Sequence, residues 1–99
     1  MVYQHRRRVE TPALTLYLGP GSTEVGTPRL GFVVSKKVAG KAHDRNRLKR
    51  RLREVCRRYI GRLKGVDLIF VARPLAVSVE VRILETEIVQ LLTKAGILD

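Results

Sequence analysis

Arg29-Leu30-Gly31-Phe32-Val33-Val34-Ser35 leads through Lys36-Lys37-Val38-Ala39-Gly40-Lys41-Ala42-His43 into Asp44-Arg45-Asn46-Arg47-Leu48-Lys49-Arg50-Arg51-Leu52-Arg53-Glu54. The first seven residues have the apolar, β-branched character of a strand. The middle eight form a basic connection containing Gly40. Asp44 then reads as an N-cap, and no helix breaker follows until Gly61. Leu48, Leu52, Val55, Cys56, Tyr59, Ile60 and Leu63 keep the spacing of one face of an α-helix.

Downstream, Val66-Asp67-Leu68-Ile69-Phe70-Val71-Ala72 precedes Arg73-Pro74. It reads as a strand buried on both faces, and so interior to a sheet. Ser78 can cap a last helix whose apolar positions are Val81, Leu84, Ile88, Leu91, Leu92 and Ala95, with Gly96 to end it. Upstream, Ala13-Leu14-Thr15-Leu16-Tyr17-Leu18 alternates strictly, with three leucines on one face and Tyr17 on the other. Residues 6–10 suggest a further short strand. The Gly- and Pro-rich residues 19–28 suggest a loop, which makes strands two and three antiparallel if it closes a hairpin. The expected fold is α+β: a two-layer sandwich in which one mixed sheet of about four strands carries two helices. Ninety-nine residues suffice for one hydrophobic core, so residues 1–99 are read as a single domain.

Charge is concentrated where the helix is. Lys and Arg number 20 against nine acids, a net +11. Residues 29–64 alone hold 14 basic residues against Asp44 and Glu54, a net +12, which leaves the rest of the chain at −1. A solubility surface would mix the signs, so a polyanionic partner is expected. No apolar run approaches the roughly 18 residues of a membrane span. Met1 to Arg8 has a basic start but no apolar h-region, unlike a signal peptide. One Cys cannot form an internal disulfide, and one Cys with two His makes a poor zinc set. A reduced, cytoplasmic protein is expected.

With Leu48 at zero and 100° per residue, Lys49, Arg53, Asn46, Arg57 and Arg50 fall at about 100°, 140°, 160°, 180° and 200°. They form a stripe beside the apolar sector, able to follow a phosphate backbone, with Asn46 adding a donor and an acceptor. Arg47, Glu54 and Arg58 point elsewhere, at about 240–280°. Surface helices usually alternate charge at i and i+4. Here only Glu54 offers partners, so the helix retains a self-repulsion that a partner would relieve.

The stretch from Arg29 to Glu54 closely resembles the signature of the bacterial ribonuclease P protein subunit. In that family a strand ending in Val-Ser-Lys-Lys is followed by a Lys/Gly-rich turn and Arg-Asn-Arg-x-Lys-Arg-x-x-Arg-Glu. Weaker similarity covers a Leu-Tyr strand before the loop, Asp67-Leu68-Ile69-Phe70-Val71-Ala72-Arg73-Pro74, and a closing Leu-rich helix. Two features depart from the family. Its members usually begin with a longer basic, aromatic N-terminal helix, of which this sequence retains only the end. The turn over residues 36–44 is one residue longer than in many members.

The resemblance implies that an RNA subunit removes the 5′ leader of precursor tRNA by metal-dependent hydrolysis, with Mg2+ held mainly by that RNA. The protein would bind ribonuclease P RNA and precursor tRNA, with no membrane and no obligate protein partner, and without RNA it should cut nothing. Carried over by position, Arg45, Asn46, Arg47, Lys49, Arg50 and Arg53 are the motif positions. Lys36 and Lys37 flank a leader cleft containing Tyr3, Tyr17 and Phe32. Lys41 and Arg57 extend the basic RNA-binding set. No catalytic or metal-ligating protein residue is expected. The family's strand–helix–strand crossover is left-handed, against the usual rule.

Simpler readings stay open beside these. Tyr17 packs under the N-terminal segment or stacks a leader base, and Phe32 packs in the core or touches a base. Cys56, on the apolar face, reads as a buried thiol. His43 and Asp44 read as helix-start residues rather than an acid/base pair. A nuclease acting alone would need clustered carboxylates or a His pair, and the acids are scattered. A helix-turn-helix regulator would need a helix before Asp44, where the sequence reads as strand and turn. A ribosomal protein, or another basic RNA-binding protein with no role in cleavage, is the closest rival by charge and fold.

Overall fold

In a computed structural model, residues 7–19, 29–59 and 67–97 are described. Tyr3, Ile60, Gly61 and Leu63 lie outside them, as do residues 20–28 of the expected loop and the expected end of an N-terminal helix. Strands β1 (Arg7–Glu10), β2 (Leu14–Gly19) and β3 (Arg29–Val33) precede helix α1 (Ala42–Arg57). Strand β4 (Asp67–Ala72), a 3-10 helix (Pro74–Val77) and helix α2 (Val81–Lys94) follow. The α+β expectation holds, with one mixed four-stranded sheet in the order β1-β2-β4-β3.

That order corrects one expectation. β3 is not the hairpin partner of β2; β4 lies between them, antiparallel to β2 and parallel to β3. The central place goes to the strand with the longest apolar run, Leu68 to Ala72. β3, with Gly31 and an exposed Val33, takes the edge. A parallel pair needs a long crossover connection, and α1 lies within it.

The register sorts side chains by face. Leu14 pairs with Ala72, Leu16 with Phe70 and Leu18 with Leu68, while Leu30 and Phe32 continue those rows into β3. This face packs against Leu48, Leu52, Val55 and Cys56 of α1 and Leu84, Ile88, Leu91 and Leu92 of α2. The other face carries Tyr17, Ile69 and Val71. β4 is therefore not buried on both sides: Leu68, Phe70 and Ala72 are buried, whereas Asp67, Ile69 and Val71 are half-buried.

Both helices begin differently from expectation. The N-cap of α1 is Lys41, extended at φ −92° and ψ 136°, and its carbonyl accepts the Arg45 amide at 3.1 Å. Asp44 sits inside the first turn, where a carboxylate complements the positive end of the helix without capping it. α2 starts after Glu80. Ser78 instead donates its hydroxyl to the Leu75 carbonyl, closing the 3-10 helix that Pro74 opens. At its other end α2 stops where the sequence suggests. Gly96 adopts φ 74°, its amide reaches the Thr93 carbonyl, and the Ile97 amide reaches Leu92. That is a Schellman stop, which the left-handed conformation of Gly96 makes possible.

Candidate nucleic-acid interface

α1 lies with its apolar sector on the sheet and a different neighbour on each flank. On one flank Arg58 donates to Glu85 Oε1 of α2 at 2.8 Å, and the Tyr59 hydroxyl reaches Glu85 Oε2 at 3.2 Å. On the other flank the Arg53 guanidinium carbon lies 5.5 Å from the centroid of the Phe32 ring on β3. Asn46, Lys49, Arg50, Arg53 and Arg57 thus occupy the flank beside the edge strand. All are exposed except Lys49, which is half-buried against the apolar sector.

The ion pairs among the described residues lie off this stripe. Arg8 and Arg73 pair with Glu10, Arg47 lies 4.0 Å from Asp44, Arg58 pairs with Glu85 and Arg82 with Glu80. Among the described residues no such ion pair involves Lys49, Arg50, Arg53 or Arg57. Lys36, Lys37 and Lys41, all exposed, lie on the turn that leads into the same helix.

The other expected residues take separate positions. Arg45 is half-buried, and its Nη1 donates to the Ala39 and Gly40 carbonyls at 3.0 Å each. It ties the basic turn to the first turn of α1. A signal for this existed, since Arg45 falls at about 60° on the helical wheel, inside the apolar sector. Arg47 lies off the stripe, as its angle indicates. With Arg51, Asp44, Leu48, Ala39, Ala76 and Val77 it lines a shallow recess of about 110 Å³ against the 3-10 helix.

Tyr17 and Phe32, expected to share a cleft, project from opposite faces of the sheet. Tyr17 is aligned with Arg8, Ile69 and Gly31 on the face away from the helices, and it is half-buried. Phe32 belongs to the helix-covered face, where its ring stacks on that of Phe70 at 5.8 Å and 12°. Adjacent residues on a strand point to opposite sides, so the register that puts Gly31 in the Tyr17 row sends Phe32 the other way.

Sequence reasoning missed Glu87. It is buried on α2, and its Oε1 accepts the Ala13 amide at 3.0 Å, fastening the helix to the start of β2. An acid between Leu84 and Ile88 on an apolar face was the available sign, since buried carboxylates require partners. Burial pushes the Cys56 thiol up from 9.0 to about 12, so it stays protonated and unreactive near neutrality. Among the described residues no three His, Cys, Asp or Glu side chains gather where they could hold a metal ion. No helix there is long and apolar enough to cross a membrane.

A basic helix whose stripe makes no ion pair among the described residues, lying in the crossover from an edge strand to the sheet centre, is joined by a family match over residues 1–96, described as Ribonuclease P. The chain belongs to the ribonuclease P protein family. The ribonuclease P protein component of Xanthomonas oryzae pv. oryzae is 38% identical over 98 residues, 99% of this chain and 66% of that protein. That of Pasteurella multocida is 42% identical over 72 residues, 73% of this chain and 59% of that protein. The chain therefore spans slightly less than two-thirds of the length of these relatives. Among solved structures, the Staphylococcus aureus RNase P protein superposes with a TM-score of 0.87 at 26% identity, covering 99% of this chain and 88% of that one. The Thermotoga maritima RNase P protein gives 0.82 at 28% identity, covering 94% and 86%. Family membership decides against the ribosomal-protein reading that charge and fold leave open.

Proposed function

We propose that this chain is the protein subunit of ribonuclease P, working in the cytoplasm. It binds the RNA subunit through α1 and the turn before it. It supports removal of the 5′ leader from precursor tRNA by phosphodiester hydrolysis. The observation that carries the reading is the stripe on α1: four cations and Asn46 on one flank, with no ion pair to these cations among the described residues. The like charges of such a stripe repel one another, whereas a phosphate backbone neutralises them and releases counterions.

The protein's part is electrostatic and positional. Lysine and arginine side chains offset phosphate repulsion that free metal ions would otherwise have to screen. Mg2+ would be held mainly by the RNA subunit, to which the hydrolytic step belongs. The sheet face bearing Tyr17 is the surface assigned to the leader, with Lys36 and Lys37 beside the RNA-binding helix.

The test is to incubate precursor tRNA with the protein, with ribonuclease P RNA, and with both, at low magnesium. The expected result is no cleavage by RNA-free protein and strong stimulation of the RNA by the protein. Cleavage by rigorously RNA-free protein would refute the division of labour. Absence of stimulation would refute the assignment as a subunit.

A further inference from the structure

We propose that Phe32 is a positioning residue for RNA binding, acting through Arg53 and not through the tRNA leader. The inference rests on the reading of α1 as the RNA-binding helix and adds to it a part of the sheet that touches no RNA itself.

Three side chains are stacked in sequence. Phe70, fully buried on the central strand, holds the Phe32 ring at 5.8 Å and 12°. Phe32, half-buried on the edge strand, lies under the Arg53 guanidinium, whose Cζ is 5.5 Å from the ring centroid. The register explains the first contact, because Phe32 and Phe70 are direct partners on the parallel strands β3 and β4. The crossover explains the second, because α1 runs back over the strand it has just left. Among the described residues no carboxylate pairs with Arg53, and the face of the Phe32 ring is the electrostatic contact it makes.

The arrangement matters because an arginine has much rotamer freedom to lose when it binds. Lys49, Arg50 and Arg57 share the stripe without an aromatic ring beneath them among the described contacts. Arg53 is held before RNA arrives, and the residue remains exposed. An aromatic ring does not neutralise the charge as a carboxylate would, so Arg53 is oriented and still available to phosphate. Preorganisation of this kind raises affinity by lowering the cost of ordering. Phe32 thus contributes to RNA affinity without entering the interface.

The experiment is a double-mutant cycle on the dissociation constant for ribonuclease P RNA. Phe32→Leu keeps an apolar side chain but removes the ring face, and Phe32→Tyr keeps the face. Phe32→Leu is expected to weaken binding about two- to fivefold, the size of an exposed cation–π contact. In an Arg53→Ala background the same change is expected to do almost nothing, and Phe32→Tyr should bind like the parent. A second measurement uses the free protein. The Arg53 Nε–H proton should show a ring-current shift that persists in Phe32→Tyr and vanishes in Phe32→Leu.

Equal losses from Phe32→Leu in both backgrounds, no loss in either, or no ring-current shift would return Phe32 to simple packing. A Phe32→Leu defect that grows with leader length would assign it to the leader and overturn the inference. If Arg53→Ala itself leaves RNA affinity and its salt dependence unchanged, the reading of the stripe fails, and the inference fails with it.

Discussion

Tyr17 and Glu87 are single residues whose neighbours assign them opposite kinds of work. Tyr17 stands in a row that ends at Gly31, which presents no side chain, so the sheet beside Ile69 is low. An added Cβ at Gly31 would meet Ile69 Cγ1 at an ordinary 3.7 Å. A ring bordering such a shallow surface can stack a nucleobase. Tyr17→Ala is expected to weaken binding of leader-bearing precursor by the assembled enzyme by about 1–3 kcal/mol, with much less effect on mature tRNA. Equal losses for both substrates, or a lower melting temperature alone, would make Tyr17 a packing residue. Glu87 works inside the protein. Glu87→Ala leaves the Ala13 amide without its acceptor and should cost about 1–3 kcal/mol in urea unfolding. Glu87→Gln retains a carbonyl acceptor and should recover much of that loss. A fully stable Glu87→Ala would show that this helix-to-strand bond contributes little.

At the scale of the element, α1 divides its cations between two tasks. Lys49, Arg50 and Arg53 face outward on the β3 flank, whereas Arg58 is committed to Glu85 on the α2 flank. Measured across a salt series, each of Lys49→Ala, Arg50→Ala and Arg53→Ala should lower the slope of log K against log[salt] for RNA binding by about 0.7–0.9. Their melting temperatures should change little. Arg58→Ala should change the slope less; its ion pair is partly exposed, and its loss should cost no more than about 1 kcal/mol of stability. Arg47→Ala should fall between, since Arg47 lies beside the recess and close to Asp44. Indistinguishable slopes for Arg53→Ala and Arg58→Ala would mean that the charge acts diffusely. The stripe itself was legible from residue spacing, because helical periodicity puts side chains at fixed angles. The commitment of Arg58 was not, because Glu85 is 27 positions away and becomes a neighbour only when α2 packs.

The whole molecule carries a net +11 on 99 residues, with most of the excess on one helix and its leading turn. Self-repulsion at this density opposes the compact state and weakens as salt shortens the screening length to about 8–10 Å. The free protein is therefore expected to melt at a higher temperature in moderate salt, while its affinity for RNA falls over the same range. The opposed trends are measurable by thermal denaturation and by binding titration on one set of buffers. A melting temperature that is flat or falls with salt would show that the native ion pairs outweigh the repulsion.

Local physics is what the sequence alone carried furthest. Alternation along β2, periodicity along α1 and α2, the stop at Gly96 and the basic stripe all depend on near neighbours, so they could be read before any folding. The Arg-Asn-Arg stretch with Val-Ser-Lys-Lys before it pointed to the family in the same way. Pairing over distance had to wait for the tertiary structure. An apolar run says that a strand is buried and not beside which strand, so the insertion of β4 between β2 and β3 could not be read from residues 13–35. That insertion sets the register of β3, and the register sends Phe32 under Arg53 while Tyr17 faces the other side. Arg45 on two turn carbonyls and Glu87 on the Ala13 amide follow the same rule. A polar group at an apolar position signals that a partner must exist, and only the packed chain determines which.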